Sequence, residues 1–526
     1  MATTATQEVA PSAEVWDAGA ESDTRPEVGI AGRLTALGTA TLLQVVLLSG
    51  VFILTFFHRT DPDFWWHLST GRYIAETGSI PSTDPFSYTA AGRPWIAHEW
   101  LSELLIYVVF RAGGYLPLVL IFATVITLTH AAVLRTARVL GQGPVAATCI
   151  TAWVAAMSVF AWNVRPQWFS YLFFSVFLLL LVRSRTRADR WIWALPGLMV
   201  PWVNLHAGYM SGLLLLGTFL VGQWMNGTRP SSPSVGGTPG RYLAVAGATV
   251  AATLLNPHGV EILLYPFSYA GSDNASMKFI TEWQSPDFHY LYFFIFGGSL
   301  MALMVAPIRR PIDWAITLPL LLFTAMSLQS VRMIPFYAIA AAPVLATRLP
   351  LPPSGIAIQR RAQAWPWNWL LLPLCLAAMG STLVLSDRTQ WGPEPRTNGY
   401  PAGGVRFLKE AGMNGRLVNT FHWGGYLIWS FYPERRVFVD GRPDMYGDAF
   451  MDDFGRLLDA RPGWEEVLDR YGVEVALLEK DSRTATLLTA TGRWRELFRG
   501  EIEVVLVRSG GNGGNNGTDV PPYPCR

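Results

Sequence analysis

Apolar stretches recur along almost three quarters of this chain, and that recurrence constrains the fold more than any other feature. They fall at 34–57, 115–134, 143–161, 168–182, 191–204, 207–223, 241–255, 290–307, 312–329, 332–347 and 367–386. Hydrocarbon offers the backbone no hydrogen-bond partner, so such segments must close their own bonds as helices. They predict a polytopic α-helical membrane protein of about eleven spans, several near or below the usual length of about 20 residues. Residues 100–111, WLSELLIYVVFR, are a short twelfth candidate. Composition agrees: 51% of residues are hydrophobic and 15% charged, which excludes an ordinary soluble globule. The scattered arginines and net charge of +2 give no basic nucleic-acid surface. Cys149, Cys375 and Cys525 have neither disulfide nor metal spacing.

Arginine placement orients the chain. With the N-terminus cytoplasmic and 100–111 left outside as part of a loop over 58–114, the inner connections hold Arg135, Arg138, Arg183, Arg185, Arg187, Arg190, Arg309, Arg310, Arg348, Arg360 and Arg361. The short outer connections hold chiefly Arg165, Lys278 and Arg332. This is a positive-inside pattern, and making 100–111 a full span destroys it. Residues 1–31 are acidic and polar and predict a disordered cytoplasmic tail; residues 32–386 form the membrane domain. Residues 387–510 begin with a Pro/Gly connector and then alternate short β-rich runs with helical ones, which predicts an extracytoplasmic α/β domain with a parallel sheet as one option. The Gly/Asn-rich end, 511–526, predicts a second disordered tail.

On this topology the unusual polar motifs all fall outside. Asp61 and Asp63 directly follow the first helix, in DPDFWWH. Either carboxylate is a candidate catalytic base, and Asp63, set deeper among aromatics, is the stronger. His67, four residues on, shares a helical face with Asp63; with His98 and Glu99 these make a candidate Mg²⁺ or Mn²⁺ site. The plain alternative is a capped interfacial helix with aromatic anchors. Arg165 and Arg332, at the outer ends of apolar segments, are candidates for holding a phosphate, or for ion pairs with Glu282 or Asp287. His206, Asn256, His258 and Glu282 are candidates for sugar or acceptor contacts, or for satisfying helix ends. In the soluble part His422, Asp440, Arg442 and Asp444 are candidates for a cleft facing the membrane, set against a charged turn after a buried strand. Asn274 heads a glycan-acceptor sequon, a weak pattern.

An acidic motif in the first outer loop, many membrane helices and an outer C-terminal domain together resemble the GT-C superfamily of multispanning membrane glycosyltransferases. The combination DPDFWWHLSTGRYI, HEW, LNPHG and HWGGYLIW…VFVDGRPDMYG also resembles a group of bacterial membrane proteins, over most of residues 34–510. The resemblance implies a sugar donor linked to polyprenyl phosphate or pyrophosphate, membrane lipids as surroundings, and a glycan, lipid or protein acceptor. It implies residence in the bacterial inner membrane and an acidic residue acting near acceptor or metal, for which Asp63 is the matching position and Asp61 the next. His422–Trp423 stands where a WWD-type motif would occur in oligosaccharyltransferases, which weakens any reading of peptide recognition. The rival functions are a transporter or flippase of lipid-linked glycans and a non-catalytic assembly factor for a cell-surface polymer. No internal repeat is evident, and the polar groups cluster at one surface, which favours interfacial chemistry over alternating access.

Overall fold

A computed structural model describes residues 38–57, 61–187, 190–227, 239–265, 267, 280–305, 311–348, 368–385 and 399–509. Both expected tails, residues 387–398 and Asn274 lie outside them. Helix α1 covers Thr39–Leu54. A helical hairpin follows, made of α2 (Phe64–Thr77), a loop, and α3 (Trp100–Gly113). The helical body continues with α4 (Tyr115–Val139), α5 (Pro144–Ser158), α6 (Gln167–Arg187), α7 (Ala194–Leu205), α8 (Tyr209–Gly227) and α9 (Pro239–Ala252). It closes with α10 (Leu291–Val305), α11 (Trp314–Gln329), α12 (Ile334–Arg348) and α13 (Asn368–Leu385).

Every apolar segment of the sequence is thus helical, but the expected count of about eleven full spans is not matched by helix length. Among the described residues three stretches are long and apolar enough to cross a membrane unaided: Tyr115–Val139, Pro144–Ala161 and Gln167–Arg185. Others are shorter or carry internal proline, as at Pro201, Pro319, Pro343 and Pro373, where the missing N–H interrupts the ladder. Such helices are common where neighbours re-satisfy the backbone. Helix α3 has 14 residues, about 21 Å of rise, short of a hydrocarbon core of about 30 Å. It packs against α2. The described chain is a helical body, with three helices long and apolar enough to cross a membrane, followed by a C-terminal domain built on a β-sheet.

That domain holds a four-stranded sheet in the order β1-β2-β4-β3, from β1 (Leu417–Asn419), β2 (Val475–Glu479), β3 (Trp494–Arg499) and β4 (Glu503–Arg508). Only β1 and β2 are parallel; β4 runs antiparallel to both β2 and β3, so the sheet is mixed. Val504, Val505 and Leu506 of β4 and Val475, Ala476 and Leu477 of β2 are buried, as a central pair of strands covered on both faces requires. Helices α14 (Ala402–Glu410), α15 (Gly424–Phe431), α16 (Asp448–Leu458), α17 (Trp464–Arg470) and α18 (Arg483–Ala490) surround it. The run YLIWSF, with its strand-like composition, is helical as α15, and RRVFVD enters none of these strands, making only an isolated bridge from Val437 to Ser87.

The hairpin and this domain are packed together. Trp65 meets the rings of Tyr400, Tyr426 and Trp429, and Phe86 meets Tyr432. The aromatics of 60–103 therefore serve less as membrane anchors than as the core of a joint: Phe64, Trp65 and Phe86 are all buried in protein. Gly424 and Gly425 allow the approach. A Cβ at 424 would overlap the backbone of Val439 and Asp440, and one at 425 would press on the Pro62 carbonyl and the Trp66 amide at 3.1 Å.

Candidate functional site

A cavity of about 620 Å³ opens where the hairpin, the ends of the body helices and the C-terminal domain meet. Its wall includes Asp61, Asp63, His67, His98, Glu99, Arg165, His206, Glu282, Arg332, His422 and Arg442, which residues from position 61 to position 442 bring to one place. Asn256 and His258 are not among its lining residues. Asn256 instead closes a turn, accepting from the His258 amide at 2.7 Å and donating to the Thr253 and Gly259 carbonyls, the helix-end role. Asp444 lies in the one-turn helix Pro443–Tyr446.

Two charge clusters organise the wall. In the first, Arg165 stands among three carboxylates: Asp63 at 2.5 Å, Glu282 at 2.5 Å and Asp61 at 3.3 Å. Asp61 is fixed further by the Asn163 amide at 2.8 Å and by accepting the Asp63 N–H at 2.9 Å. An arginine so engaged presents little to a phosphate, so the expected anion role does not fall on Arg165; its surroundings match the ion-pair alternative. The cluster carries three acids to one base. Burial raises Asp63 to about 7; Arg165 works against the rise, while Asp61 and Glu282 add to it.

In the second cluster Glu99 is surrounded by histidines. His67 Nδ1 lies 3.4 Å from its Oε2, and its Oε1 faces His206 Nε2 at 3.2 Å and His98 Nε2 at 3.4 Å. His206 has a defined tautomer. Its Nδ1 accepts the Gly208 N–H at 2.8 Å and lies 2.8 Å from Ser170 Oγ, so the ring proton sits on Nε2 and is given to Glu99. Arg332 Nη2, 3.2 Å from that same Nε2, therefore meets an N–H and gains no acceptor there. Its guanidinium lies over the Trp283 ring at 5.5 Å, and among the described residues it has no carboxylate partner. Against burial, its charge, with that of Arg165, holds the Glu282 carboxyl below the usual range.

Glu103 is the residue that sequence reasoning passed over. It sits one helical turn after Glu99, inside an apolar run, 1% exposed, with Oε1 3.3 Å from His67 Nδ1. Gly71 lets α3 come this close: a Cβ there would overlap the Glu103 carbonyl. The sequence signal was an acid on the apolar face of a short helix. His67, Glu99 and Glu103 offer ligand atoms all within 4.8 Å of one another. The metal group expected from sequence was Asp63, His67, His98 and Glu99; in the structure Asp63 pairs with Arg165, and the acids nearest His67 are Glu99 and Glu103.

Of the C-terminal candidates, His422 lines the cavity and pairs with Glu479 at 3.2 Å. Asp440 is fully buried, accepting from Arg442 at 2.7 Å and Tyr446 at 2.7 Å, while Arg442 also reaches Asp84 at 3.0 Å and stacks over Trp95 at 4.5 Å. That network ties the hairpin to the domain.

No protein-family model and no curated protein matches the chain. Solved structures do. The apo oligosaccharyltransferase of Archaeoglobus fulgidus is similar at 13% identity and a TM-score of 0.51, over 84% of this chain and 69% of that one. ArnT of Cupriavidus metallidurans bound to undecaprenyl phosphate is similar at 15% identity and a TM-score of 0.49, over 90% and 98%. Over most of its length the chain shares its fold with that oligosaccharyltransferase.

Proposed function

We propose that this protein is a glycosyltransferase that moves a sugar from a polyprenyl-phosphate or polyprenyl-pyrophosphate donor to a glycan, lipid or protein acceptor on the extracytoplasmic side of a bacterial inner membrane. The observation that carries the reading is one cavity lined by both Asp63, a carboxylate raised to about 7, and Arg332, an arginine with no carboxylate partner among the described residues. Arg332 holds the donor phosphate. Asp63 takes the proton of an acceptor hydroxyl as its oxygen attacks the anomeric carbon, and the carbon–oxygen bond to phosphate breaks. A single displacement inverts that carbon. Arg332 also balances charge growing on the leaving oxygen. The C-terminal domain forms one wall, through His422 and Arg442, and faces the acceptor. The GT-C fold agrees with this chemistry and names no sugar.

Purified protein in lipid nanodiscs, given polyprenyl-linked sugars and a panel of acceptors, should release lipid phosphate only when an acceptor is present. Arg332→Gln should raise the donor KM by about 10-fold or more, as loss of a charge-assisted bond requires. Movement of the intact sugar-lipid across the bilayer without a new glycosidic bond would establish the flippase instead.

A further inference from the structure

His130 stands in the apolar helix α4 and is 1% exposed. An ionisable side chain in such a segment is costly to bury, and its partners show what it is kept for. Both ring nitrogens are engaged. Nδ1 donates to the Ile126 carbonyl at 2.7 Å, which in the neutral imidazole leaves Nε2 as an acceptor. Nε2 faces the hydroxyl of Ser158, the last residue of α5, at 3.3 Å; the Ala155 carbonyl competes for that hydrogen at the same distance. Ser158 Oγ in turn accepts the Trp162 indole N–H at 3.2 Å. The imidazole is edge-on to Trp162, with centroids 5.6 Å apart, and lies 6.4 Å from Trp168, whose indole N–H donates to the Ala161 carbonyl at 2.6 Å.

These contacts close on one short turn. Residues 159–166 join α5 to α6, and the turn gives Asn163 to Asp61 at 2.8 Å and Arg165 to Asp63 and Glu282 at 2.5 Å each. Its own backbone bonds are local: the Asn163 N–H donates to the Ala161 carbonyl and the Arg165 N–H to the Asn163 carbonyl. Bonds that span three residues do not fix the shape of a turn by themselves, so the buried side chains of Trp162, Val164 and Trp168 must hold it.

We propose that His130 is a positioning residue: through Ser158 and the indoles of Trp162 and Trp168 it fixes the turn that presents Asn163 and Arg165 to Asp61 and Asp63.

His130 does not line the cavity and acts through Arg165. Its bearing on catalysis rests on the reading of Asp63 as the base; the positioning itself does not. The charged groups that face Asp63 are Arg165, Asp61 and Glu282, and the backbone of Gly441 covers it from the C-terminal domain. Of these, Arg165 alone favours the ionised carboxylate. Asp61 precedes α2 and Glu282 precedes α10, so neither is carried by the turn. Releasing the turn from beneath therefore withdraws the cation and leaves both acids in place. The Asp63 titration then moves up.

The test reads the Asp63 carboxyl without substrate. Full-length protein in lipid nanodiscs is titrated by difference infrared spectroscopy, and the carbonyl band of protonated Asp63 is the one lost in Asp63→Asn. His130→Phe keeps a ring between the two indoles and removes both nitrogens. Its midpoint should lie above that of the parent by about half a pH unit or more, a part of what a neighbouring opposite charge supplies. His130→Gln, whose side-chain carbonyl can accept the Ser158 hydroxyl, should return the midpoint toward the parent value. Because a variant can fail to fold, Ser158→Ala cuts the same link from the other side by removing one oxygen, and should shift the midpoint in the same direction. A histidine that only fills space would lower the melting temperature and leave the midpoint where it was. A midpoint that stays or falls in folded His130→Phe, or in Ser158→Ala where the first does not fold, overturns the proposal, as does an equal rise in folded His130→Gln. Sugar transfer is decided separately: a shifted midpoint without transfer keeps the positioning role and removes the base, and transfer with an unmoved midpoint does the reverse.

Discussion

Gly441 of the C-terminal domain lies directly against the carboxylate of Asp63 in the first outer loop: a Cβ at position 441 would overlap Asp63 Oδ1 and sit 3.1 Å from the Trp66 indole nitrogen. The proposed base is therefore held from both sides, by Arg165 and by a bare backbone some 380 positions downstream. Gly441→Ala should push the carboxylate aside by a fraction of a bond length. Displacements of this size cost up to about 100-fold in rate. Expression and detergent-solubilised size should match the parent, and turnover equal to the parent would show that Asp63 position does not matter.

Asp63→Asn keeps the size of the side chain and removes its charge and proton acceptance. Turnover per folded molecule at saturating donor should fall by at least about 100-fold. Asp61→Asn should fall less, because Asp61 is already committed to Asn163 and the Asp63 amide. A larger loss in Asp61→Asn would move the base two positions upstream.

The pH profile follows from the same carboxylate. The active form is ionised, and burial places its titration at about 7, so kcat/KM should rise with pH to a plateau above that value. Arg165 opposes the upward shift, whereas Asp61 and Glu282 reinforce it. In Arg165→Gln the acidic limb should therefore move to higher pH. A midpoint that stays or moves down would remove Asp63 as the titrating group.

Arg442 is 2% exposed between Asp84 and Asp440, both fully buried as side chains. Arg442→Met leaves two uncompensated acids in the joint, a loss of about 3–5 kcal/mol. The apparent melting temperature should drop sharply, and adding Asp84→Asn and Asp440→Asn should recover part of it. An unchanged melting temperature would show that the triad contributes nothing.

Sidedness is tested without any substrate. In a background lacking Cys149, Cys375 and Cys525, cysteine placed at Ser82 should react with an impermeant reagent from outside, and cysteine at Ser231 should not. Labelling of both, or of 231 alone, would invert the proposed topology.

Helices were legible in this sequence because an apolar run of sufficient length has few alternatives. Span count was not, since composition registers apolarity and is indifferent to a proline at 319 or a 12-residue length at 194–205. Asp61, Asp63, Glu99, Arg165, His206, Glu282 and Arg332 stood out as charges or histidines beside apolar segments. Their pairing did not, because Arg165 lies 117 positions from Glu282 and 102 from Asp63, and only the fold decides such contacts. Glu103 was hidden by its neighbours: one acid within WLSELLIYVVF lowers the local hydropathy too little to notice. The mixed sheet was misjudged for a related reason, since β4 pairs with β2 across an intervening strand and helix that local patterns do not rank.

The joint between 61–103 and 421–446 also sets a timetable. Ribosomes add about 5–20 residues per second, so the first loop is finished roughly 20 to 70 s before the segment that covers it has been made. Throughout that interval Trp65, Phe86 and the carboxylate of Asp63 await a partner still inside the translation machinery, while the intervening helices insert. Quality control of this protein thus begins with a half-built interface, and the arrival of 421–446 is what seals it.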